Sequence, residues 1–308
     1  MVIFTYNKFY YNSNTMNIVD CFMYFDEDMI LDIRLNVLDK YVSHFIICEA
    51  NFNHNGTKRD LRFEINNFQK FRKKITYIPL DKQPENLRIV NQNDSVVVKN
   101  SKILDNALLR ENFQRNFLQN KIKDFHEDDL IIISDVDEIP NLQNFKYKKK
   151  ITFFEQKMFY YKLNLIHPDF LWYGSKICKK KHLISPQWLR NIKSKKYPLW
   201  RLDTLFSETK YNNIAFQENG GWHFTNMKSP KKIDFKMKNF LHHLEYEESG
   251  LKIDDIKKIM NEKKVFYDHV ADKKQKKWNA GISLKKENDN SLPGYITINK
   301  EKFRNWLD

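Results

Sequence analysis

The segment Leu130-Ile131-Ile132-Ile133-Ser134-Asp135-Val136-Asp137-Glu138-Ile139-Pro140 decides more about this chain than any other. Its first four residues are apolar and mostly β-branched, which predicts a short strand buried on both faces, as in a parallel sheet covered by helices. Three carboxylates follow within four positions, and Pro140 then stops regular pairing. Because ligands bind beyond the carboxyl ends of the strands in such sheets, the segment predicts a functional site at this edge.

Asp135 and Asp137 are the first candidates for that site. Residues two apart in extended backbone point the same way, so we expect the two carboxylates to converge on one cation. Hard oxygen ligands suit Mg²⁺ or Mn²⁺, and such an ion usually also holds substrate phosphates. The alternative is an acidic loop that keeps the sheet end soluble, but the buried strand before it favours a metal site.

A further metal ligand is expected in the segment Gly220-Gly221-Trp222-His223-Phe224-Thr225. The two glycines permit close backbone approach, and the aromatic neighbours of His223 can wall a site against water. The alternative is a histidine at the edge of the core, hydrogen-bonded in a turn. His242 and His243 are weaker candidates, because adjacent helix positions diverge by about 100° and at most one can face a site.

Two charged residues on neighbouring elements are candidates for binding a nucleotide. Arg115 lies on the helix that leads into the carboxylate strand, where a guanidinium can bind a diphosphate with two parallel hydrogen bonds. Its alternative is an ion pair with Glu111, four residues earlier. Glu49 ends the second predicted strand and can hydrogen-bond a base or a ribose, or remain a solvated charge at the strand end.

Length and composition allow one large domain, alone or with an extension, because the chain has 308 residues of which 41% are hydrophobic. Strand-like and helix-like segments alternate up to Pro140, which is typical of an α/β sheet with right-handed crossovers. We therefore predict an α/β fold, a mixed sheet flanked by helices. Its parts are an irregular leader at 1–17, the main domain at 18–250 and a basic α+β extension at 251–308.

Apolar periodicity places the individual elements. Strands are predicted at 18–25, 45–48, 75–80, 153–165, 170–173, 200–205 and 295–298, and helices at 29–41, 63–73, 102–125, 233–244 and 253–262. Cys21 and Cys48 lie inside strand-like runs, and with Cys178 they show no metal-like spacing. We expect all three cysteines to be buried free thiols in a reducing compartment.

The formal charge of +14 is compatible with nucleic acid, an anionic lipid surface or a phosphorylated substrate. However, much of it lies in the lysine runs 148–150, 179–181 and 273–277, and most such runs are solvated. We therefore expect no nucleic-acid partner. No apolar stretch approaches the about 20 residues that span a bilayer, and the amino terminus lacks the order of a secretory signal. We expect a cytoplasmic protein that can make peripheral contact with an anionic membrane surface.

Five short segments together resemble glycosyltransferase family 17. They are Asp20-Cys21-Phe22-Met23-Tyr24-Phe25, Asp32-Ile33-Arg34-Leu35-Asn36, Gln114-Arg115-Asn116, Ile133-Ser134-Asp135-Val136-Asp137-Glu138-Ile139-Pro140 and Gly221-Trp222-His223-Phe224. The resemblance runs in order from about residue 18 to 250, and the lysine-rich carboxyl third is only weakly similar. The sequence around Asp135 and Asp137 is the most specific part of the resemblance.

The resemblance implies a GT-A fold, a nucleotide-sugar donor (UDP-GlcNAc in the eukaryotic members), Mn²⁺ between the donor phosphates and the D-x-D motif, and inversion at the anomeric carbon. Carried over by position, Asp135 and Asp137 are the metal and donor motif, with Asp137 the stronger direct ligand. Asp20 and Phe22 of the first strand would then lie beside the nucleotide. The acceptor is expected to be a saccharide or glycoconjugate other than an N-glycan core.

An attacking hydroxyl must lose a proton to a carboxylate within hydrogen-bond reach. Glu218, just before the Gly-Gly-Trp-His segment, is our candidate base. Glu138 is the other candidate, although the position of Glu138 beside the metal motif suits a role in supporting that motif. Trp172 and Trp222 can stack on sugar rings or pack in the core. Two other functions remain open: a metal-dependent nuclease or phosphoesterase, and a non-catalytic saccharide-binding protein of the same fold.

Overall fold

The structure is a computed structural model that describes residues 17–198, 200–268, 278 and 281–308. The predicted leader, apart from Asn17, and the basic run Lys273-Lys274-Gln275-Lys276-Lys277 lie outside the described residues. No helix in the described part of the chain is both long and apolar enough to cross a membrane.

Strands and helices alternate in the first half of the chain, and short helices dominate the last third. The strands are β1 Ile18–Met23, β2 His44–Ala50, β3 Ile75–Leu80, β4 Leu130–Asp135, β5 Glu138–Pro140, β6 Ile151–Tyr160, β7 Leu165–Trp172, β8 Lys176–Lys179, β9 Ile214–Thr225 and β10 Lys285–Lys286. The helices are α1 Asp28–Leu38, α2 Val96–Phe117, α3 Gln119–Ile122, α4 Pro186–Asn191, α5 Pro230–Asn239, α6 His243–Ser249, α7 Ile253–Asn261, α8 Gly294–Ile298 and α9 Lys300–Phe303.

One mixed sheet connects all of these strands. Strands β3, β2, β1 and β4 are parallel neighbours, and β8 continues the sheet antiparallel to β4. Beyond β8 follow β6, β7 and β10, while β9 pairs in parallel with β6 and carries β5. The predicted mixed α/β sheet flanked by helices is therefore confirmed.

The strand β4 is buried on both faces, as its apolar run predicted. Ile132 packs into one core cluster with Ile33 of α1, whereas Ile131 and Ile133 pack on the other face with Leu189 of α4. Burial of each such side chain contributes about 1.5–3 kcal/mol. One neighbour of β4 is parallel and the other antiparallel, so the all-parallel surroundings expected from the sequence are only half present.

After β4 the chain turns at Val136 and Asp137 and returns as β5. Asp137 therefore does not continue the extended strand, and the argument that Asp135 and Asp137 point the same way by strand alternation is wrong. Strand β5 pairs antiparallel with β9, which sets Glu138 opposite His223. Gly221 makes this pairing possible, because its φ is +131° and a Cβ would collide with the Ile139 carbonyl oxygen.

Three element predictions are wrong in detail. The segment 200–205 forms a 3₁₀ turn at Leu202–Thr204 instead of a strand. The segment 295–298 forms helix α8, because Pro293 favours a helix start and Ile296 is buried against the core that includes α1. The predicted helix 233–244 is split, because Phe240 is extended after α5 ends.

The carboxyl-terminal segment is built into the same fold. Strand β10 pairs with β7, and Ile296 and Phe303 lie in the core cluster of α1. Ile256 and Phe266 share another cluster with side chains of β6. The division at residues 250 and 251 stays a prediction. The three cysteines are buried free thiols, as expected.

A candidate active site at the carboxyl edge of the sheet

A cleft of about 370 Å³ opens at the carboxyl ends of the parallel strands. Its lining includes residues 23–25 at the end of β1, residues 52–54 after β2 and residues 135–138. It also includes residues of α5 and of the chain that follows α5, together with four large aromatic side chains. These are Trp172, Phe266, Tyr267 and Trp278. The cleft therefore combines charged and aromatic side chains.

Asp135 is held between two guanidinium groups. Arg115 Nη2 donates to its Oδ1 over 3.1 Å, and Arg190 Nη2 donates to its Oδ2 over 2.9 Å. Burial would raise the pKa of Asp135, but attraction to Arg190 and Arg115 outweighs it and holds the pKa well below the usual range. Arg115 also pairs with Glu111 over 2.8 Å, which confirms the alternative role predicted for it, while diphosphate binding by Arg115 stays a prediction. Arg115 also lines the cleft, although only 3% of its side chain is exposed.

Glu138 has both carboxylate oxygens occupied. Oε1 accepts hydrogen bonds from Trp172 Nε1 over 2.6 Å and from Arg190 Nη2 over 3.0 Å. Oε2 accepts from Arg190 Nη1 over 2.7 Å and from the Asp135 amide over 2.9 Å. With a side chain only 1% exposed, Glu138 has no free acceptor for a substrate proton. Its geometry matches the supporting role, not the role of a base.

Asp137 and His223 face each other in the cleft without a direct hydrogen bond. His223 Nε2 lies 3.6 Å from Asp137 Oδ2, which is longer than a hydrogen bond. Burial would raise the pKa of Asp137, but attraction to His223 outweighs it and lowers the pKa. The buried Nδ1 of His223 has no hydrogen-bond partner within the described residues. The Trp172 ring packs 5.1 Å from the imidazole and covers it.

The possible metal ligands of the cleft fit a divalent cation in part. Nowhere in the described ranges do three His, Cys, Asp or Glu side chains form a ready-made metal cage. The Asp137 carboxylate and the His223 imidazole, whose Nε2 faces it, nevertheless suit Mn²⁺ or Mg²⁺, which proteins often hold by one or two carboxylates while substrate phosphates complete the shell. Asp135 fits less directly, because arginine donors engage both of its oxygens.

Asp20 and Phe22 do not reach the cleft. The Asp20 carboxylate is fully buried and pairs with Arg34, at 2.6 Å and 2.8 Å. Arg34 then donates to the carbonyl oxygens of Asp135 over 3.0 Å and Glu138 over 2.7 Å. The predicted nucleotide contact is wrong for Asp20, because its partners lie beneath the turn. Phe22 is likewise fully buried in the core.

Glu49 is also fully buried, so its predicted contact with a base or ribose is wrong. Its carboxylate accepts hydrogen bonds from Arg59 over 2.8 Å, from Tyr77 over 2.9 Å, and from the amides of Arg62 and Phe63. Arg59 itself lines the cleft beside Phe25. Glu49 therefore orders the residues that reach the site.

The proposed base Glu218 lies away from the cleft. Its side chain is exposed on β9. Burial raises the pKa of nearby Glu155, and the charge of Glu218 raises it further. Glu218 lies five residues before His223, within an irregularity in the pairing of β9 with β6, and it does not line the cleft. The prediction is wrong because proximity in sequence was read as proximity to the site. Trp222 also points elsewhere, donating from Nε1 to the Ser291 carbonyl over 2.6 Å.

Two basic residues of the site gave no signal in the sequence. Arg190 lies in the short helix α4, which starts at the Ser185 cap and packs on the sheet. Lys236 of α5 lines the cleft near Asp137, and within the described chain no carboxylate lies within 4 Å of its ammonium group. Neither residue belongs to a recognisable motif, because only the packing of α4 and α5 brings them to the aspartates.

Fold and site together define an α/β protein with an acidic, arginine-buttressed turn that faces a cleft at the carboxyl edge of its sheet. The chain belongs to glycosyltransferase family 17, whose family model matches residues 7–308. The match includes both the aspartate turn and the carboxyl-terminal segment that the motifs alone covered weakly. The resemblance inferred from five short segments is therefore confirmed.

Curated relatives point in the same direction. The chain is 29% identical over 119 residues to the human enzyme named β-1,4-mannosyl-glycoprotein 4-β-N-acetylglucosaminyltransferase, and equally similar to the rat enzyme of that name. The matched region covers 36% of this chain and 19% of each relative. The chain thus matches about a fifth of the length of these relatives.

Proposed function

We propose that this protein is a metal-dependent, inverting glycosyltransferase of the GT-A type. It would transfer GlcNAc or a related sugar from a nucleotide-sugar donor, UDP-GlcNAc, to a saccharide or glycoconjugate acceptor. The observation that carries the proposal is the pairing of Asp137 with His223 at the cleft, beside an arginine-held Asp135. Family membership and the names of the relatives support the reaction class.

The charged groups of the cleft suit a diphosphate. A divalent ion at Asp137 and His223 would neutralise charge on the departing nucleoside diphosphate. Lys236 lies near the same carboxylate and adds a positive charge from the protein. Arg115 and Arg190 keep Asp135 ionised and fix the turn that carries Asp137.

Two groups of residues in the cleft suit different substrates. Phe25 and the residues after β2 lie at the carboxyl ends of parallel strands, where nucleotides bind in α/β sheets. Trp172, Tyr267 and Trp278 also line the cleft, and their apolar faces suit those of sugar rings. We assign the first group to the donor and the second to the acceptor. Neither Glu218 nor Glu138 has the geometry of the base.

The test is release of the free nucleoside diphosphate. Purified protein is incubated with a panel of nucleotide sugars and Mn²⁺, and UDP is measured with and without saccharide acceptors. UDP-GlcNAc should be hydrolysed slowly without acceptor, and chelation should stop the release. Asp137→Asn should reduce release at least a hundredfold and weaken Mn²⁺ binding measured by calorimetry, while circular dichroism stays unchanged.

Asp128→Asn is the matched control, because Asp128 is an exposed carboxylate that pairs with Lys179 and Lys181 away from the cleft. It should leave UDP release within twofold of the unchanged protein. Cleavage of DNA or RNA under the same conditions would instead establish a nuclease. Oligosaccharide binding without release from any donor would establish a non-catalytic binding protein, and either result overturns the transferase.

A further inference from the structure

The segment that follows α4 exposes an unusual set of apolar side chains. Trp200 is 76% exposed, Leu202 69%, Leu205 73% and Phe206 90%. Four large apolar side chains within seven positions are more than a soluble surface usually presents in one place. We call residues 193–210 the α4–β9 loop.

The geometry of the loop presents these side chains together. Leu202–Thr204 form a 3₁₀ turn that the Leu205 amide closes by donating to the Leu202 carbonyl over 3.0 Å. Side chains three residues apart in such a turn eclipse, so Leu202 and Leu205 share one side. Trp200 and Phe206 flank the turn. At the base of the loop, the Lys193 amide donates to the Thr209 carbonyl over 2.9 Å and closes it.

The charge around the apolar turn is positive. The α4–β9 loop has five basic and two acidic residues, a net charge of +3. The one acid on the turn, Asp203, is neutralised by Arg201 at 2.6 Å and by Lys210 at 2.7 Å. Lys193, Lys195 and Lys196 are exposed, and among the described residues no carboxylate lies within 4 Å of their ammonium groups.

We propose that the α4–β9 loop docks this protein on an anionic lipid bilayer. Aromatic and aliphatic side chains enter the interface between headgroups and acyl chains, where tryptophan is favoured, while the unpaired lysines attract anionic headgroups. A protein partner would need a shaped apolar recess or a complementary acidic surface, whereas a short apolar tip on a basic loop matches a bilayer. The loop follows directly on the helix that supplies Arg190, so docking would place the cleft near the membrane surface.

Cosedimentation with lipid vesicles tests this proposal without any donor, so its failure would leave the transferase proposal intact. The unchanged protein should bind vesicles of phosphatidylcholine with phosphatidylglycerol, bind pure phosphatidylcholine at least tenfold more weakly, and be released by high salt. The combined change Trp200→Ser, Leu202→Ser, Leu205→Ser and Phe206→Ser should weaken binding at least tenfold. So should the combined change Lys193→Gln, Lys195→Gln and Lys196→Gln.

Matched controls change equally exposed residues elsewhere. Ile89→Ser with Val96→Ser and Val97→Ser removes apolar side chains that are 77%, 74% and 79% exposed. Lys146→Gln with Lys148→Gln and Lys149→Gln removes the same charge from another exposed run. Both controls should bind within twofold of the unchanged protein.

Equal losses in the loop variants and in their controls would overturn the proposal, because general charge or hydrophobicity would then explain binding. Failure of the unchanged protein to bind would also overturn it. So would a dimer, seen by light scattering, that the four serine changes dissociate, since the loop would then join two copies. The lysine variant keeps the test valid if the serine variant does not fold.

Discussion

Arg190 donates from Nη2 to Asp135 Oδ2 over 2.9 Å, joining two positions 55 residues apart in the chain. The same guanidinium spans both oxygens of Glu138. One side chain on a short helix thus fixes the orientation of two of the three carboxylates that follow β4. The third, Asp137, is left to face the cleft with His223.

The Arg190 network should stabilise the fold. Arg190→Met leaves the buried carboxylate of Glu138 without its guanidinium, and we expect the free energy of unfolding to fall by about 3–5 kcal/mol. Urea denaturation measures it. Arg201→Met is the control, because Arg201 binds Asp203 through two hydrogen bonds but both side chains are about 40% exposed. That change should cost far less, because ion pairs between exposed side chains contribute little to stability. Equal effects of the two changes would contradict this account.

Gly174 should be required for the same network. A Cβ at this position would overlap the carboxylate of Glu138 and the indole nitrogen of Trp172. We expect Gly174→Ala to reduce UDP release at least tenfold, since both side chains must move and Asp135 loses its support. Gly294→Ala is the control, because a Cβ there meets no atom within 4 Å. Full activity in the Gly174 variant would show that the network tolerates displacement.

Lys176 should make the stability depend on pH above neutrality. It lies buried beneath the site, donating to the carbonyl oxygens of Arg190 and Ile192, and burial lowers its pKa from 10.5 to about 7. Between those values the unfolded chain binds more protons than the folded chain, so the free energy of unfolding should rise with pH. In Lys176→Met this part of the rise should be missing from urea denaturation series at pH 7 to 10. The exposed Lys195→Met should retain it.

His44 should contribute to acid sensitivity. Burial lowers its pKa from 6.5 to about 4, and its Nε2 lies 2.7 Å from the Thr76 hydroxyl. Between pH 6.5 and 4 the unfolded histidine binds a proton that the folded one does not, so stability should decrease as the pH falls. His44→Gln should flatten this decrease in thermal melts, whereas His126→Gln, at an exposed histidine, should not. A steep decrease retained in His44→Gln would exclude His44 as the cause.

Local patterns predicted the site only where its residues are neighbours in sequence. The apolar run of β4, the carboxylates after it and the glycine-backed His223 were each readable, and the family resemblance linked them. For Arg115 the spacing predicted the ion pair with Glu111, whereas its contact with Asp135 could not be read from the sequence. The failures have a common cause. Glu49 and Asp20 look like strand-end or strand charges in sequence, and only burial shows that Arg59 and Arg34 occupy them.

Hydrophobic periodicity and a few motifs by themselves determined the α/β class, the buried central strand, the free cysteines and the family. Tertiary structure alone decided which charges meet. The β5–β9 pairing brings His223 to Asp137, and the packing of α4 brings Arg190 to Asp135. The physical reason is that burial patterns repeat over a few residues and leave a local trace, whereas an ion pair between distant elements depends on how those elements dock and leaves none.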